Sequence, residues 1–536
     1  MDPQCQTLNE LLDGVAGVHG DRPAVLFRDE GATFRELRRD ADRLAGGLAA
    51  LGLAAGERVA VWLPSCLDWI RLQFAAARLG LILVPLSTRF KGAEAEYILR
   101  NSDANALVVA DRWHGIDFLE RLGPVTSHRF PALRHLVVRG RYQQTGSVAF
   151  EDLASHAPLA ACPAVGPDDP ALILYTSGTT GCPKGAVLTH WNVVFNAFHM
   201  AQRQHVTPAD RLLVAPPLFH VFGCVDGVVG YFSHGASVVV QEIFRPDESL
   251  KLIERHRCTA VYSTATMFQM LLEQPALGSC DRRFLRTGMI GSMPVPETVM
   301  RGVVEQLCVP EIVNGYGQTE APVSLLTEAG AGLDLLLAGV GPVIPGAEIR
   351  LVDPATGTAV GPGEAGEVCV RGPHVMAGYF RAASQTSEAI DAEGWLHSGD
   401  LAVEVRDGLY RITGRLKDMY IYGGLKIYPA EVENVLYLHP AVLHAAVVGL
   451  PDPRLGEVGH AFIQLRAGMP AEASTITAFA RERLADYKVP RAVTFVDEFP
   501  VTPNGKIQKF RLQQLARGAR GAKTGSAQAN QRSGRV

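Results

Sequence analysis

Short β-branched runs alternate with amphipathic stretches through the first half of the chain. Arg58-Val59-Ala60-Val61-Trp62-Leu63 predicts a strand, and Leu67 to Leu79 predicts a helix with apolar residues at helical spacing. Asn105-Ala106-Leu107-Val108-Val109 predicts a second strand, with a charged helix after it. Val238-Val239-Val240 and Thr259-Ala260-Val261-Tyr262 repeat the pattern, each after a helix. Strands that alternate with helices predict α/β layers built on mostly parallel sheets.

The texture changes after Gly341. As far as Tyr410, Gly and Pro punctuate short alternating strands such as Gly366-Glu367-Val368-Cys369-Val370-Arg371-Gly372, which predicts a small, mostly antiparallel β unit. From Gly414 a compact α+β segment follows. It holds a helix near Pro429 to Leu438, a strand around Ala445 to Val448 and a second helix near Ser474 to Leu484. Arg517 to Val536 is aperiodic, with five Arg/Lys and no acids, and reads as a disordered tail. The fold class is therefore α/β. A large N-terminal domain of layered α/β subdomains plus a small β unit (1–414) precedes a small α+β C-terminal domain (415–516) and the tail (517–536).

Composition narrows the function classes. The 536 residues exceed what one core organises, which agrees with several domains. Lys+Arg 51 against Asp+Glu 55 gives a net charge of −4, so charge offers no reason to expect a nucleic-acid partner. Nine cysteines stand singly, without Cys-x-x-Cys spacing, which argues against zinc and a disulfide framework and for a reducing, cytoplasmic setting. The N-terminus carries acids early and does not read as a secretory signal. The longest apolar run, around Leu79 to Leu86, is too short to span a bilayer. No transmembrane segment is expected; an oligomer is compatible with the sequence.

Candidate chemistry begins where the apolar run Leu172-Ile173-Leu174-Tyr175 empties into Thr176-Ser177-Gly178-Thr179-Thr180-Gly181-Cys182-Pro183-Lys184-Gly185. Alone, a Gly/Ser/Thr stretch reads as a surface turn. After a buried strand, its glycines let backbone amides approach phosphate oxygens, its hydroxyls add donors, and Lys184 adds positive charge. It is not a Walker A loop, because Lys184 stands between Pro183 and Gly185 instead of preceding Ser or Thr. Four further segments follow in order: Asn314-Gly315-Tyr316-Gly317-Gln318-Thr319-Glu320, Trp395-Leu396-His397-Ser398-Gly399-Asp400, Gly414-Arg415-Leu416-Lys417 through Glu433, and Pro503-Asn504-Gly505-Lys506-Ile507-Gln508-Lys509. Taken alone, the first would be a turn around a packed ring and the second a turn Asp before a strand. The third would be a polar hairpin entering a helix, and the fourth a turn projecting a solvated lysine.

Together the five segments resemble the adenylate-forming superfamily, which includes acyl-CoA synthetases, peptide-synthetase adenylation domains and firefly luciferases. The likeness is greatest to the medium- and long-chain fatty acid–CoA ligases. It implies ATP, Mg²⁺ and CoA as cofactors and substrates, with a C-terminal domain that moves between two half-reactions. Thr176, Ser177, Gly178, Thr179, Thr180, Gly181 and Lys184 would cradle phosphates. Ser292, Met293, Asn314, Gly315, Tyr316, Gly317 and Thr319 would hold adenine and the α-phosphate, and Asp400 and Arg415 the ribose. Glu320 and Thr176 would share the metal. Lys417 would be the hinge, Lys506 the adenylation lysine and His220 a gate between carboxylate and thiol. Gly423, Gly424 and Lys426 would meet CoA.

The acid is bounded less tightly. Peptide-synthetase domains need an Asp near the Phe219-His220 position to bind an ammonium group, and His220 stands there instead. The resemblance places Phe222, Val225, Met267, Met293, Gln318 and Val323 around the acyl chain, without an arginine for a second carboxylate. A fatty acid fits, with an aryl or hydroxycinnamic acid as the alternative. A carrier protein is the alternative thiol acceptor. A non-catalytic nucleotide-binding relative would be expected to have lost Lys506, Glu320 or Asp400, and all three are present.

Overall fold

The computed structural model describes residues 6–141, 144–159, 161–176, 183–292, 295–406, 408–501 and 507–517. The tail after Arg517, with its expected disorder, lies outside them. The described residues divide into two compact units, the first within 6–350, 369–398 and 408–410, the second within 351–368, 399–406 and 411–517.

The first unit contains two eight-stranded sheets. One runs, in spatial order, Ala321–Leu326, Glu311–Gln318, Thr287–Gly291, Ala260–Thr264, Arg211–Val214, Ser237–Val240, Pro23–Phe27 and Glu30–Thr33. Its six central strands pair parallel, and only the two end pairs are antiparallel. Strands such as Ser237–Val240 are buried along their whole length, as a parallel sheet covered on both faces requires. The other sheet runs Gly378–Tyr379, Lys184–Thr189, Pro170–Thr176, Ile82–Pro85, Arg58–Trp62, Ala106–Ala110, His135–Arg139 and Val148–Ala149.

Periodicity located most elements to within a residue or two. The helix Leu67–Leu79 has the predicted bounds, closed by Gly80 in the left-handed region at φ 69°. The charged helix expected after Ala106–Ala110 is the short Phe118–Leu122, reached through a hairpin of Arg112–Trp113 and Ile116–Asp117. Two segments that alone would be turns are strand in the structure. The segment around Tyr316 is strand as far as Gln318, and Asp400 lies inside the strand Leu396–Arg406. In both, neighbouring strands supply backbone partners that local sequence does not reveal.

An ion network closes the N-terminal ends of four strands of the first sheet. The Arg286 guanidinium donates to both oxygens of buried Asp210, at 3.0 and 2.6 Å, and to Glu311 at 2.6 Å. Thr259 Oγ1 donates to Asp210 at 2.7 Å. These contacts outweigh the burial of Asp210 and hold its carboxyl below the usual range. Arg286→Ala leaves that carboxylate buried and underpaired, which costs roughly 2–3 kcal/mol. The expected result is a lowered urea midpoint with unchanged slope; an unchanged midpoint would show that the network adds nothing.

The second unit is built on a sheet ordered Leu425–Ile427, Tyr420–Tyr422, Gly456–Leu465 and Val442–Asp452, with Ala492–Phe495 pairing parallel to Gly456–Leu465. The helices Pro429–Tyr437 and Ala473–Arg481 cover it through Val432, Leu436, Ile476 and Ala480, which pack with Val447, Ala461 and Ile463. The segment Tyr420–Ile427 is the expected hairpin leading into a helix. All described cysteines are free thiols. Among the described residues, no helix is long and apolar enough to cross a membrane.

Candidate active site

Ligands of open parallel sheets gather beyond the carboxyl ends of the strands. In the first sheet, that edge gathers the loop with His220 after Arg211–Val214, Met267 after Ala260–Thr264, Ser292 after Thr287–Gly291, and the Tyr316–Glu320 stretch closing Glu311–Gln318. The strands approach closely there: Gly291 pairs with Gly315, and a Cβ on Gly291 would stand 2.7 Å from the Gly315 carbonyl oxygen. The register against Ala321–Leu326 slips on both sides of Gly317. Such a bulge re-aims side chains at a sheet end. Ser292 takes a left-handed φ of 70°, a conformation a non-glycine residue holds only under constraint.

The phosphate-loop candidate joins two antiparallel strands, Pro170–Thr176 and Lys184–Thr189, with Thr176 opposite Lys184. Ser177, Gly178, Thr179, Thr180 and Gly181 lie outside the described residues, as does Met293. Thr176 Oγ1 lies 3.4 Å from Glu320 Oε1, although 144 residues separate them in the chain. The same Glu320 oxygen accepts a hydrogen bond from Tyr379 Oη at 2.8 Å, and the Lys184 ammonium lies over the Tyr379 ring, 4.9 Å from its centre. Burial and the adjacent Glu320 charge push the Tyr379 phenol far above its ordinary range, so it remains a hydrogen-bond donor. Tyr379 belongs to no motif. It arrives because Gly378–Tyr379 pairs with Ala186 and Val187 on the far side of Lys184–Thr189. Two hard oxygens, a lysine and a phenol thus converge at one end of a sheet, a set that suits a metal-bound polyphosphate.

The remaining first-unit candidates differ in how free they are. The Asn314 amide donates to the Gly339 carbonyl at 3.1 Å, bracing the end of the helix Leu333–Ala338. His220 Nδ1 accepts the Phe222 N–H at 3.2 Å, so a neutral ring carries its proton on Nε2. After His220 the chain enters a π-helix, Phe222–Val229. Gly223 is required here, since a Cβ would come within 2.3 Å of the Pro217 carbonyl oxygen. Phe222, Val225 and Val323 are buried, while Met267, Gln318, Tyr316 and Thr319 are half-buried. The Phe222 ring stacks on Tyr262, with centres 5.3 Å apart and planes 20° apart.

One buried group escaped the motif reading. Asp226, inside the π-helix, is 2% exposed, and its Oδ1 has no hydrogen-bond partner among the described residues. Burial pushes its carboxyl up to about 8. Folding therefore retains a proton that the unfolded chain, with an ordinary value near ~4, gives up, and stability falls as pH rises between those values. Asp226→Asn, neutral at every pH, is expected to raise the melting temperature, with a gain that grows from pH 5 to pH 8. A gain independent of pH would contradict a protonated native carboxyl.

In the second unit, Arg415 Nε lies 3.0 Å from Asp400 Oδ1, so the two ribose candidates form a pair. Lys417 follows in a turn after Leu409–Arg415. Gly423 and Gly424 form the two-residue turn between Tyr420–Tyr422 and Leu425–Ile427, with φ of 56° and 88°. Both values lie in the region that favours glycine, so the turn alone accounts for the pair. Lys426 stands in the strand after it, opposite Ile421. Lys506 lies outside the described residues; Val501 and Ile507 form an antiparallel bridge.

Comparison with known proteins agrees with this arrangement. The family model described as AMP-binding enzyme matches residues 12–380, and that of the AMP-binding enzyme C-terminal domain matches residues 431–506. The chain belongs to the AMP-binding enzyme family. YngI of Bacillus subtilis (strain 168), whose name assigns it provisionally as an acyl-CoA synthetase, is 37% identical over 95% of this chain and 96% of its own. The mitochondrial medium-chain acyl-CoA ligase ACSF2 of Danio rerio is 36% identical, over 95% of this chain and 88% of its own. Among solved structures, the anthranilate CoA ligase AuaEII in complex with anthranoyl-AMP superposes with a TM-score of 0.89 at 30% identity, covering 96% of this chain and 98% of that one. Within its family the chain stands among the adenylate-forming acyl-CoA ligases, the AMP-forming acid–thiol ligases, for which ATP and CoA are substrates.

Proposed function

We propose that this family member activates a monocarboxylic acid with a largely aliphatic chain of medium length, of the fatty-acid kind, and passes it to CoA. The observation that carries the chemistry is the convergence of Thr176, Lys184, Glu320 and Tyr379. A carboxylate oxygen attacks the α-phosphorus of ATP, the bond to pyrophosphate breaks, and an acyl-adenylate remains. Lys184 and Lys506 oppose the negative charge that crowds the reacting phosphate, Tyr316 offers a face to adenine, and Thr319 offers its hydroxyl to the α-phosphate. The thiolate of CoA then attacks the acyl carbonyl and AMP departs, with His220 at the passage between acid and thiol. Asp400 and Arg415 are assigned to the ribose, Lys417 to the hinge, and Gly423, Gly424 and Lys426 to the CoA arm.

Mg²⁺ belongs to this reading through its donor set. Thr176 and Glu320 present a hydroxyl and a carboxylate oxygen 3.4 Å apart, two hard donors of the kind that would hold an oxygen-ligated ion. When bound, the ion would neutralise phosphate charge. Tyr379 holds the Glu320 oxygen in place. Tyr379→Phe keeps the ring beneath Lys184 and removes that hydrogen bond, so adenylation is expected to fall ~3–10-fold, about 1 kcal/mol. The Mg²⁺ concentration for half-maximal rate should rise with it; an unaltered Mg²⁺ dependence would remove Tyr379 from this role.

The medium-length acid is supported by the apolar burial of Phe222, Val225 and Val323 and by the likeness to a medium-chain ligase. An aryl acid is the second reading, favoured by the stacked pair Phe222 and Tyr262 and by the anthranilate ligase among similar structures. Pyrophosphate release across straight-chain and aromatic acids, with CoA present, separates them. Straight chains of about six to twelve carbons should lead over aromatic acids, each buried methylene contributing ~0.8 kcal/mol. Benzoates leading at every concentration would replace the fatty-acid reading.

A further inference from the structure

Resting on the acyl-site reading above, we infer that Asp226 is a specificity residue, whose carboxyl hydrogen-bonds an oxygen carried near the far end of the substrate's chain. Asp226 follows Phe222 by four residues in a π-helix, whose wide turn brings residues four and five apart onto one face. Phe222 stacks on Tyr262, and Asp226 stands on the same face of the helix as Phe222. His220 lies six residues before Asp226. At no more than 1.5 Å per helical residue, the two are separated by ~9 Å or less along the axis. An acid whose carboxylate reacts beside His220 would reach Asp226 with the end of a medium-length chain.

The surroundings give this carboxyl nothing to bond. Tyr262 Oη accepts from Gln204 Nε2 at 2.6 Å and faces Met200 Sδ at 3.6 Å. Gln204 Oε1 and Tyr231 Oη, on the two residues that flank Tyr262, also lack partners among the described residues, as Asp226 Oδ1 does. Buried polar groups are rarely left so, because each unmade hydrogen bond is costly. A purely apolar chain end would leave the orphans as they are, at a position where Val or Leu would pack better. A keto or hydroxyl oxygen would accept the proton of a neutral carboxyl, which burial away from any cation favours. A pocket built to bond one substrate oxygen rejects the analogue that lacks it.

The test compares octanoate with the same chain bearing a keto group at its penultimate carbon, a terminal hydroxyl or a terminal ammonium. Pyrophosphate release and thioester formation are measured for the full-length wild type, Asp226→Leu and Asp226→Asn. Wild type should favour the keto and hydroxy acids over octanoate by at least ~10-fold in kcat/KM. Asp226→Leu should reverse that order, and Asp226→Asn should retain preference for the keto acid. Equal ratios in wild type and Asp226→Leu would overturn the inference, as would preference for the ammonium acid, which calls for an ionised carboxylate. Difference infrared spectra without ATP supply a readout independent of turnover. The carboxylic-acid band absent from Asp226→Asn should shift with the keto acid and stay unmoved with octanoate. If that band shifts while no acid releases pyrophosphate, the activity reading fails and the Asp226 inference stands; if acids react but the band never moves, the reverse holds.

Discussion

Glu320→Gln is expected to lower acid-dependent pyrophosphate release by about 10²–10³-fold, roughly 3–4 kcal/mol of transition-state stabilisation. The substitution preserves size and leaves an oxygen for Tyr379, yet it removes the charge that faces Thr176 at 3.4 Å. Its effect should therefore fall on the nucleotide step. Thioester formation from supplied acyl-adenylate and CoA should retain most of its rate, because no pyrophosphate is expelled in it. The melting temperature should change by no more than a degree or two, since Glu320 is only half-buried. Equal losses in both half-reactions would show that Glu320 shapes the site generally.

Lys506→Ala carries the second large effect. A lysine placed over the reacting carboxylate and α-phosphate stabilises charge present only in the transition state, and loss of such a group costs ~10²–10³-fold. Adenylation should fall by that factor, while thioester formation from supplied acyl-adenylate should persist. The pairing with Glu320→Gln is informative: if both act on the same transition state, the double variant should lose less than the product of the single losses. Adenylation that survives the change would remove Lys506 from the reaction.

Thr176 and Glu320 were legible in the sequence because each sits in a segment whose chemistry is local, and the fold brings them together across two sheets. Tyr379 was not legible. It stands outside every motif, and only the pairing of Gly378–Tyr379 beside Lys184–Thr189 carries it to Glu320. Helices such as Leu67–Leu79 could be bounded from periodicity because a buried face and a closing glycine coincide there. Taken alone, the Tyr316 segment resembles a turn, because its glycines look like loop residues. They serve strand approach instead: a Cβ on Gly317 would stand 2.2 Å from the Pro322 carbonyl oxygen.

Asp226 marks another boundary. One acid stands in an otherwise apolar run from Val221 to Phe232, and that was the available signal. Its spacing of four residues from Phe222 puts the two on one face in an ordinary helix as in the π-helix observed. Gly423 and Gly424 teach the opposite lesson, because their left-handed φ values are demanded by the hairpin turn whether or not CoA passes over them. Asp400 and Arg415 were read as separate ribose ligands, and the structure joins them as an ion pair.

The central claim is acid activation through an adenylate followed by transfer to CoA. It is tested most directly by incubating the full-length protein with ATP, Mg²⁺, CoA and a medium-chain acid, then quantifying AMP, pyrophosphate and thioester in one reaction. The account predicts the three products in equal amounts, none of them without the acid, and acyl-adenylate with pyrophosphate when CoA is withheld. Formation of ADP and phosphate, or adenylate that never yields a thioester with CoA, would contradict it.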